Sequence, residues 1–296
     1  MLSPTHVPCG PLRRILSVIV LAAGVAGCGA ASRGSSQTAA TTAGTTRPQV
    51  IKHHRRVRHR VVPALIAPAN PPARSVQVPV LTFHRVHSLP AVGILGLIVD
   101  PATFNAELTA LQQHGYHTVT QARLFDALFR GRALPSKPVM ISVDDGYVDD
   151  IETILPDLRH HRMVGTFNVI TGRIHEAGFL TAGQIRELDR AGMDVCDHSA
   201  HHVELTQLTA AELRDEVVGS KRALERILGH PVYCFAYPFG AYDAAVIKAV
   251  RAAGYSMAYT TDGGSIESSA SPLTIPRLHV GRDETRAGLV GLVGNA

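Results

Sequence analysis

Asp144 and Asp145 stand side by side ahead of Gly146 and Tyr147, directly after the apolar run Val139-Met140-Ile141-Ser142-Val143. Two adjacent carboxylates at the end of a strand repel each other unless one is neutralised, and a bound cation resolves the conflict; Gly146 permits a turn through which both can face one site. A second polar cluster follows another apolar run, where Met193-Asp194-Val195-Cys196-Asp197 leads into His198, with His201 and His202 close behind. In a helical turn, imidazoles four residues apart stack on one face and can reach one divalent ion. His198 pairs in this way with His202, and His201 offers an i,i+3 alternative that spacing does not exclude. One carboxylate with two imidazoles leaves coordination positions open, the donor set of a catalytic rather than a structural centre. The third cluster is Phe235-Ala236-Tyr237-Pro238-Phe239-Gly240-Ala241-Tyr242-Asp243. There Pro238 and Gly240 predict a tight loop whose N–H groups can face a developing oxyanion, with aromatic side chains to flank a ring.

These clusters must be held by the alternating pattern around them. Strands are predicted over Val78 to Phe83, His117 to Val119, Val139 to Val143, Thr166 to Ile170, Met193 to Asp197, Val232 to Tyr237, Ser256 to Thr260 and Leu273 to Val280. Helical periodicity runs through Pro101 to Gln113, Gln121 to Phe129, Asp150 to His160, Thr181 to Ala191, Ala210 to Leu228 and Asp243 to Ala253. Gly115, Gly131, Gly192, Gly229 and Gly254 close five of these helices. Eight strands with interleaved helices predict one parallel α/β domain, doubly wound or a (β/α) barrel, with its functional residues at the C-terminal ends of the strands.

The 296 residues carry a net charge of +5, but its distribution is uneven. Ten of the 29 Lys and Arg residues precede position 76 and no acidic residue precedes Asp100, so the remainder sets 19 basic against 24 acidic residues. The body is therefore acidic, and no nucleic-acid partner is expected. Arg13 and Arg14 precede an apolar stretch from Ile15 to Gly27, too short to span a bilayer comfortably and suited to the core of an export signal. Residues 28–76 turn to Ser, Thr, Ala and Gln, then to the basic run Lys52 to Arg60, then to prolines. They are expected to form a disordered tether that the basic run could hold against an anionic surface. The body, residues 77–296, is expected to be the catalytic domain. Cys196 and Cys234 fall on predicted strands; connectivity cannot be read from sequence, and two buried thiols are the expected state.

Two resemblances sharpen this reading. Val25-Ala26-Gly27-Cys28 resembles the lipobox of bacterial lipoproteins, which implies cleavage before Cys28, acylation of its sulfur and anchoring on the extracytoplasmic face of a membrane. The three clusters of the body, in their order, resemble the polysaccharide deacetylases of NodB-homology type, carbohydrate esterase family four. Ser142-Val143-Asp144-Asp145-Gly146 stands for the family's Thr-Phe-Asp-Asp-Gly, and His198-Ser199-Ala200-His201-His202 for His-Ser/Thr-x-x-His, which selects His202 over His201. The third motif, Arg-x-Pro-Tyr/Phe-Gly, is matched at Pro238-Phe239-Gly240 but has Ala236 in place of its arginine.

The resemblance implies a distorted seven- or eight-stranded (β/α) barrel. Asp144 would be the catalytic base, and Asp145, His198 and His202 would hold a divalent metal, commonly zinc. The segment Pro79 to Val86 looks like the opening of the poly-N-acetylglucosamine deacetylase branch, where the barrel is circularly permuted. This implies His84 as the general acid in preference to His279. Arg277 is the candidate replacement for the missing arginine, orienting Asp144. The Phe239 N–H would serve the oxyanion, and Tyr147, Tyr237, Phe239 or Tyr242 would stack on the sugar. The implied reaction is removal of N-acetyl groups from a cell-surface polysaccharide by a monomeric enzyme. O-acetyl ester cleavage and a non-catalytic glycan-binding lipoprotein are the alternatives.

Overall fold

The apolar runs Val80–Phe83, Val139 to Val143, Thr166–Val169, Cys234–Ala236 and Met257–Tyr259 become strands buried along their whole length, which is the environment of a parallel sheet wrapped by helices. In chain order the strands are β1 (Ser75–Gln77), β2 (Val80–Phe83), β3 (Arg85–Val86), β4 (Ile98–Val99), β5 (His117–Thr118) and β6 (Pro138–Val143). They continue with β7 (Thr166–Val169), β8 (Asp194–Asp197), β9 (Cys234–Ala236), β10 (Met257–Tyr259), β11 (Ile266–Ser268) and β12 (Leu278–His279). The helices are α1 (Pro101–Gln113), α2 (Gln121–Arg130), α3 (Leu155–His160), α4 (Ala182–Arg190), α5 (Ala210–Arg214), α6 (Ser220–Leu228), α7 (Ala244–Ala252) and α8 (Arg286–Gly294). This computed structural model describes residues 64–88 and 94–294; the export-signal segment, Cys28 and the basic run lie outside them.

The main sheet has the order β10-β9-β8-β7-β6-β2-β12, with every pairing parallel, and β5 pairs with the first two residues of β6. The segment ahead of β12 returns to β10 through the Tyr259–Ile275 bridge, so the sheet curls into a (β/α) barrel. Register aligns the strand ends. Phe83 lies opposite Val143, Val169 opposite Asp197, and Asp197 opposite Phe235, which brings His84, Asp144, His198 and the turn after Ala236 to one rim.

The predicted helices form with their signals in place. Asp100, Thr120 and Asp243 cap N-termini through their side chains, and Thr181 and Thr209 form capping boxes with Gln184 and Glu212. All five expected terminating glycines have positive φ. The predicted helices Asp150 to His160 and Ala210 to Leu228 each contain a wider π turn, at Asp150–Ile154 and Asp215–Gly219. The antiparallel pair β1 and β11 and the helix α8 lie outside the predicted elements; β1 and β11 form by pairing with each other across the chain, and α8 buries only Leu289 and Val293. The last part of the expected tether packs on the body: Leu65 is buried, and the Ser269 hydroxyl donates to the Pro72 carbonyl.

Cys196 and Cys234 form a disulfide, which corrects the expectation of two thiols. The β8–β9 register sets them side by side with Cα atoms 5.0 Å apart, within bridging range. That adjacency is a property of the sheet order, invisible across a separation of 38 residues.

Candidate active site

Asp144 emerges from the central strand β6 and its N–H bonds the Phe83 carbonyl at 2.9 Å. The chain then passes through two left-handed residues, Asp145 (φ 80°) and Gly146 (φ 75°). A Cβ at position 146 would also approach the Val169 side chain to 3.3 Å, so glycine suits this turn on both counts. The turn sends the two carboxylates into different environments.

Asp144 is clamped. Its Oδ1 accepts from Asn168 Nδ2 at 2.6 Å and from Arg277 Nη1 at 2.8 Å, and its Oδ2 accepts from Arg277 Nη2 at 2.9 Å. Arg277 starts ahead of β12 and reaches across to β6, donating also to Ser142 Oγ at 3.1 Å and, through Nε, to the Thr260 carbonyl at 2.8 Å. Burial pushes the Asp144 carboxyl up, but the Arg277 charge, joined by the His198 and His84 charges in the acid range where those rings are protonated, and the Arg277 hydrogen bonds more than offset it and hold the group well below the usual carboxylate range. His84 Nε2 and His198 Nε2 lie 4.0 and 3.9 Å from Oδ2, so this oxygen alone faces the open site.

Asp145 is pushed up to about 7 by burial and by the Asp144 charge. Its Oδ1 lies 3.6 Å from His198 Nε2 and 3.7 Å from His202 Nε2, and one ligand atom from each of the three residues lies within 4.8 Å of the others. His198 Nδ1 pairs with the Ala236 carbonyl at 2.8 Å, which assigns the proton to Nδ1 and turns the Nε2 lone pair towards Asp145. Burial lowers His198 to about 4, so the ring is neutral at physiological pH. An uncharged imidazole pair beside a carboxylate whose ionisation is suppressed for want of a counter-charge fits a divalent cation. The N,N,O donor set suits zinc.

The two histidines are not stacked on a helix as their spacing suggested. Residues 198–202 form an irregular loop in which Ser199 (φ 66°) and His202 (φ 55°) are left-handed. The curled backbone, rather than helical pitch, brings the rings together at 4.7 Å between centroids. His201 lines the same pocket but stands outside the Asp145, His198 and His202 group, and its Nδ1 lies 2.6 Å from Glu216 Oε1.

A pocket of about 420 Å³ opens over these groups. His84, Asp144, Asp145, His198, His202 and Arg277 line it together with Tyr147, Phe239 and Gly240. Phe239 is 63% exposed, with φ 57° and its ring edge-on to His202 at 4.6 Å. Pro238 and Gly240 are buried and shape this turn.

Two of the expected aromatic platforms require correction. Tyr237 belongs to the pocket wall, but it is wholly buried and its hydroxyl donates to the Leu273 carbonyl at 3.0 Å, so it offers no open face. Tyr242 stands outside the pocket lining and donates to Asp262 Oδ2. Tyr147 lines the pocket, with its ring stacked on Phe179 at 4.7 Å and the Arg85 guanidinium 4.7 Å from its centroid. His279 is exposed and stands outside the pocket lining, its ring centroid 5.7 Å from that of His84. Asn168 was missed, although an asparagine on an otherwise apolar strand was the available signal.

Residues 131–258 match the family model for polysaccharide deacetylase. YxkH of Bacillus subtilis, assigned by name to the polysaccharide deacetylases, is 27% identical over 207 residues, covering 70% of this chain and 72% of its own. The structure of the Streptococcus pyogenes deacetylase PplD in complex with acetate superposes with a TM-score of 0.69 at 27% identity, covering 74% of this chain and 99% of that one. The poly-β-1,6-N-acetyl-D-glucosamine N-deacetylase of Staphylococcus aureus is 19% identical over 199 residues, 62% of this chain and 68% of its own.

Proposed function

We propose that this chain, whose residues 131–258 match the polysaccharide deacetylase family model, hydrolyses N-acetyl groups on an N-acetylhexosamine polymer, with a divalent cation, preferably zinc, held by Asp145, His198 and His202. The observation that carries this reading is the split between the paired aspartates: one is locked as an anion by Arg277, and the other lacks a counter-charge within a set of neutral imidazoles. The name of the S. aureus relative supplies the substrate class.

The bound cation would polarise the acetamide carbonyl and acidify water at the site. Asp144 acts as the base through Oδ2, because Oδ1 already accepts two hydrogen bonds. Arg277 and Asn168 fix the carboxylate plane, and Asp144 Oδ2 takes a proton from a water as that water's oxygen adds to the acetamide carbon. His84 is lowered by burial and enters the reaction uncharged. Its Nε2 lies 4.0 Å from Asp144 Oδ2, placed to receive that proton and pass it to the departing nitrogen as the C–N bond breaks. Acetate and a free amine are the products. In the Pro238–Gly240 turn, the Gly240 and Ala241 N–H groups are taken by the Tyr237 and Pro238 carbonyls, and the Phe239 N–H is the donor assigned to the oxyanion. The exposed Phe239 ring is assigned to the sugar.

The N-terminal pattern ending on Cys28 supports a lipid-anchored enzyme on an outer membrane face; incorporation of labelled fatty acid, lost in Cys28→Ala, tests this. The activity is tested by acetate release from N-acetylglucosamine oligomers, peptidoglycan and O-acetylated glycans in parallel, with and without a chelator. Chelator-sensitive release from the N-acetylated substrates is expected. Release from the O-acetylated glycans alone, or from none of them, refutes the assignment.

A further inference from the structure

The loop that carries His202 is irregular and contains two left-handed residues other than glycine, so something must hold it in shape before a cation arrives. Its backbone partners can be followed atom by atom. The His198 N–H donates to the Val169 carbonyl, Ser199 N–H to Asp197 Oδ1 at 2.8 Å, and His202 N–H to Ser199 Oγ at 3.0 Å. The Ser199 and Ala200 carbonyls accept from the Thr171 and Gly172 N–H groups at 3.1 and 2.8 Å. The two remaining N–H groups, of Ala200 and His201, both donate to Glu216 Oε2, at 3.1 and 2.9 Å. Glu216 Oε1 lies 2.6 Å from His201 Nδ1.

Glu216 reaches this position from the π turn Asp215–Gly219 between α5 and α6, and is only 7% exposed. Ser220 Oγ donates to the Glu216 and Val217 carbonyls at 2.6 and 3.1 Å, partnering two carbonyls of that turn. One buried carboxylate thus anchors the crest of the ligand loop through three contacts. The loop also presses on Gly172, where a Cβ would come within 2.5 Å of the Ala200 carbonyl oxygen and 3.1 Å of the His201 ring.

We infer that Glu216 is a positioning residue that preforms the cation site by locking the 198–202 loop, with His201 as its latch rather than a ligand. The inference rests on the reading of Asp145, His198 and His202 as the cation site. His198 is held independently, by its strand and by the Ala236 carbonyl. Loss of the Glu216 carboxylate therefore frees His202 selectively and leaves two ligands of the three in place.

The test is zinc binding to the purified protein by chelator competition, read alongside hydrogen exchange of the Ala200 and His201 amides in the metal-free protein. Glu216→Leu should weaken zinc binding by about 10- to 100-fold and speed exchange at both amides. Glu216→Gln keeps an oxygen that can accept both N–H groups and should restore near-wild-type affinity. Gly172→Ala, whose methyl would push on the Ala200 carbonyl and the His201 ring of the same loop, should weaken zinc as Glu216→Leu does, and it carries the test if the leucine variant does not fold. Unchanged zinc affinity in Glu216→Leu or Gly172→Ala, even with a lowered melting temperature, overturns the inference. If the wild-type protein binds no zinc, the site reading fails instead, while amide exchange in Glu216→Leu still decides whether Glu216 holds the loop.

Discussion

Replacing Arg277 with methionine removes a charge and keeps most of the side-chain length. Arg277 and Asp144 are 3% and 2% exposed, and they share two hydrogen bonds of 2.8 and 2.9 Å. In Arg277→Met the aspartate stays buried with Asn168 as its remaining side-chain donor. Breaking a buried pair in this way costs about 3–5 kcal/mol, which for a domain of this size lowers the melting temperature by about 6–20 °C. The pH dependence follows from the direction of the shift. In the wild type, Asp144 is held below its ordinary value of 3.8, so the stabilisation is present above that pH and is lost as the pH falls through the folded-state value. Without Arg277 the burial that raises Asp144 is no longer offset; its carboxyl rises, and the deficit of the variant is largest at neutral pH and shrinks on acidification. The chain has no tryptophan, so unfolding is best followed by far-ultraviolet circular dichroism across pH, with acetate release measured on the same samples. The acid limb of the rate profile should move upward in the variant. A melting temperature and an acid limb both matching the wild type would refute the clamp argument.

Other expectations follow from the same geometry. Asp144→Asn should retain zinc but lose about 10²- to 10⁴-fold in turnover, whereas His198→Ala should lose both, as read by chelator competition and acetate release. His84→Gln should bind zinc normally and be impaired more on N-acetyl substrates than on acetyl esters with good leaving groups, since only the amine needs its proton. Because Asp145 is raised to about 7, zinc must displace a proton below that pH, and affinity should fall by about tenfold per pH unit as the pH drops from neutral; His198, at about 4, adds no competition there. Cys234→Ala removes a cross-link between residues 38 apart and should destabilise the domain by about 4 kcal/mol, measured by denaturant unfolding.

The parts of the site that could be read along the chain are those whose chemistry is local. Asp144-Asp145-Gly146 declares itself because adjacent carboxylates at a strand end are costly wherever the strand lies. The same holds for His198 and His202, although their proximity was assigned to the wrong geometry: an i,i+4 spacing can be closed by a curled loop as well as by a helix. The aromatic residues near Gly240 show the opposite case. Their types suited a sugar platform, but burial makes Tyr237 a core residue and sends Tyr242 outside the pocket. Burial depends on every element that packs against a side chain.

The sequence by itself determined the alternation of strands and helices, the caps that start the helices, and the polar residues at the strand ends. These depend on residue type, on spacing of a few positions and on a backbone that obeys the same sterics everywhere. Only the tertiary structure decided which strands lie side by side. That order joined Cys196 to Cys234, carried Arg277 and Asn168 to Asp144, and set Glu216 behind the histidine loop across separations that no local rule spans. Each of these contacts exists because the closed parallel sheet and its helices bring distant segments to one rim.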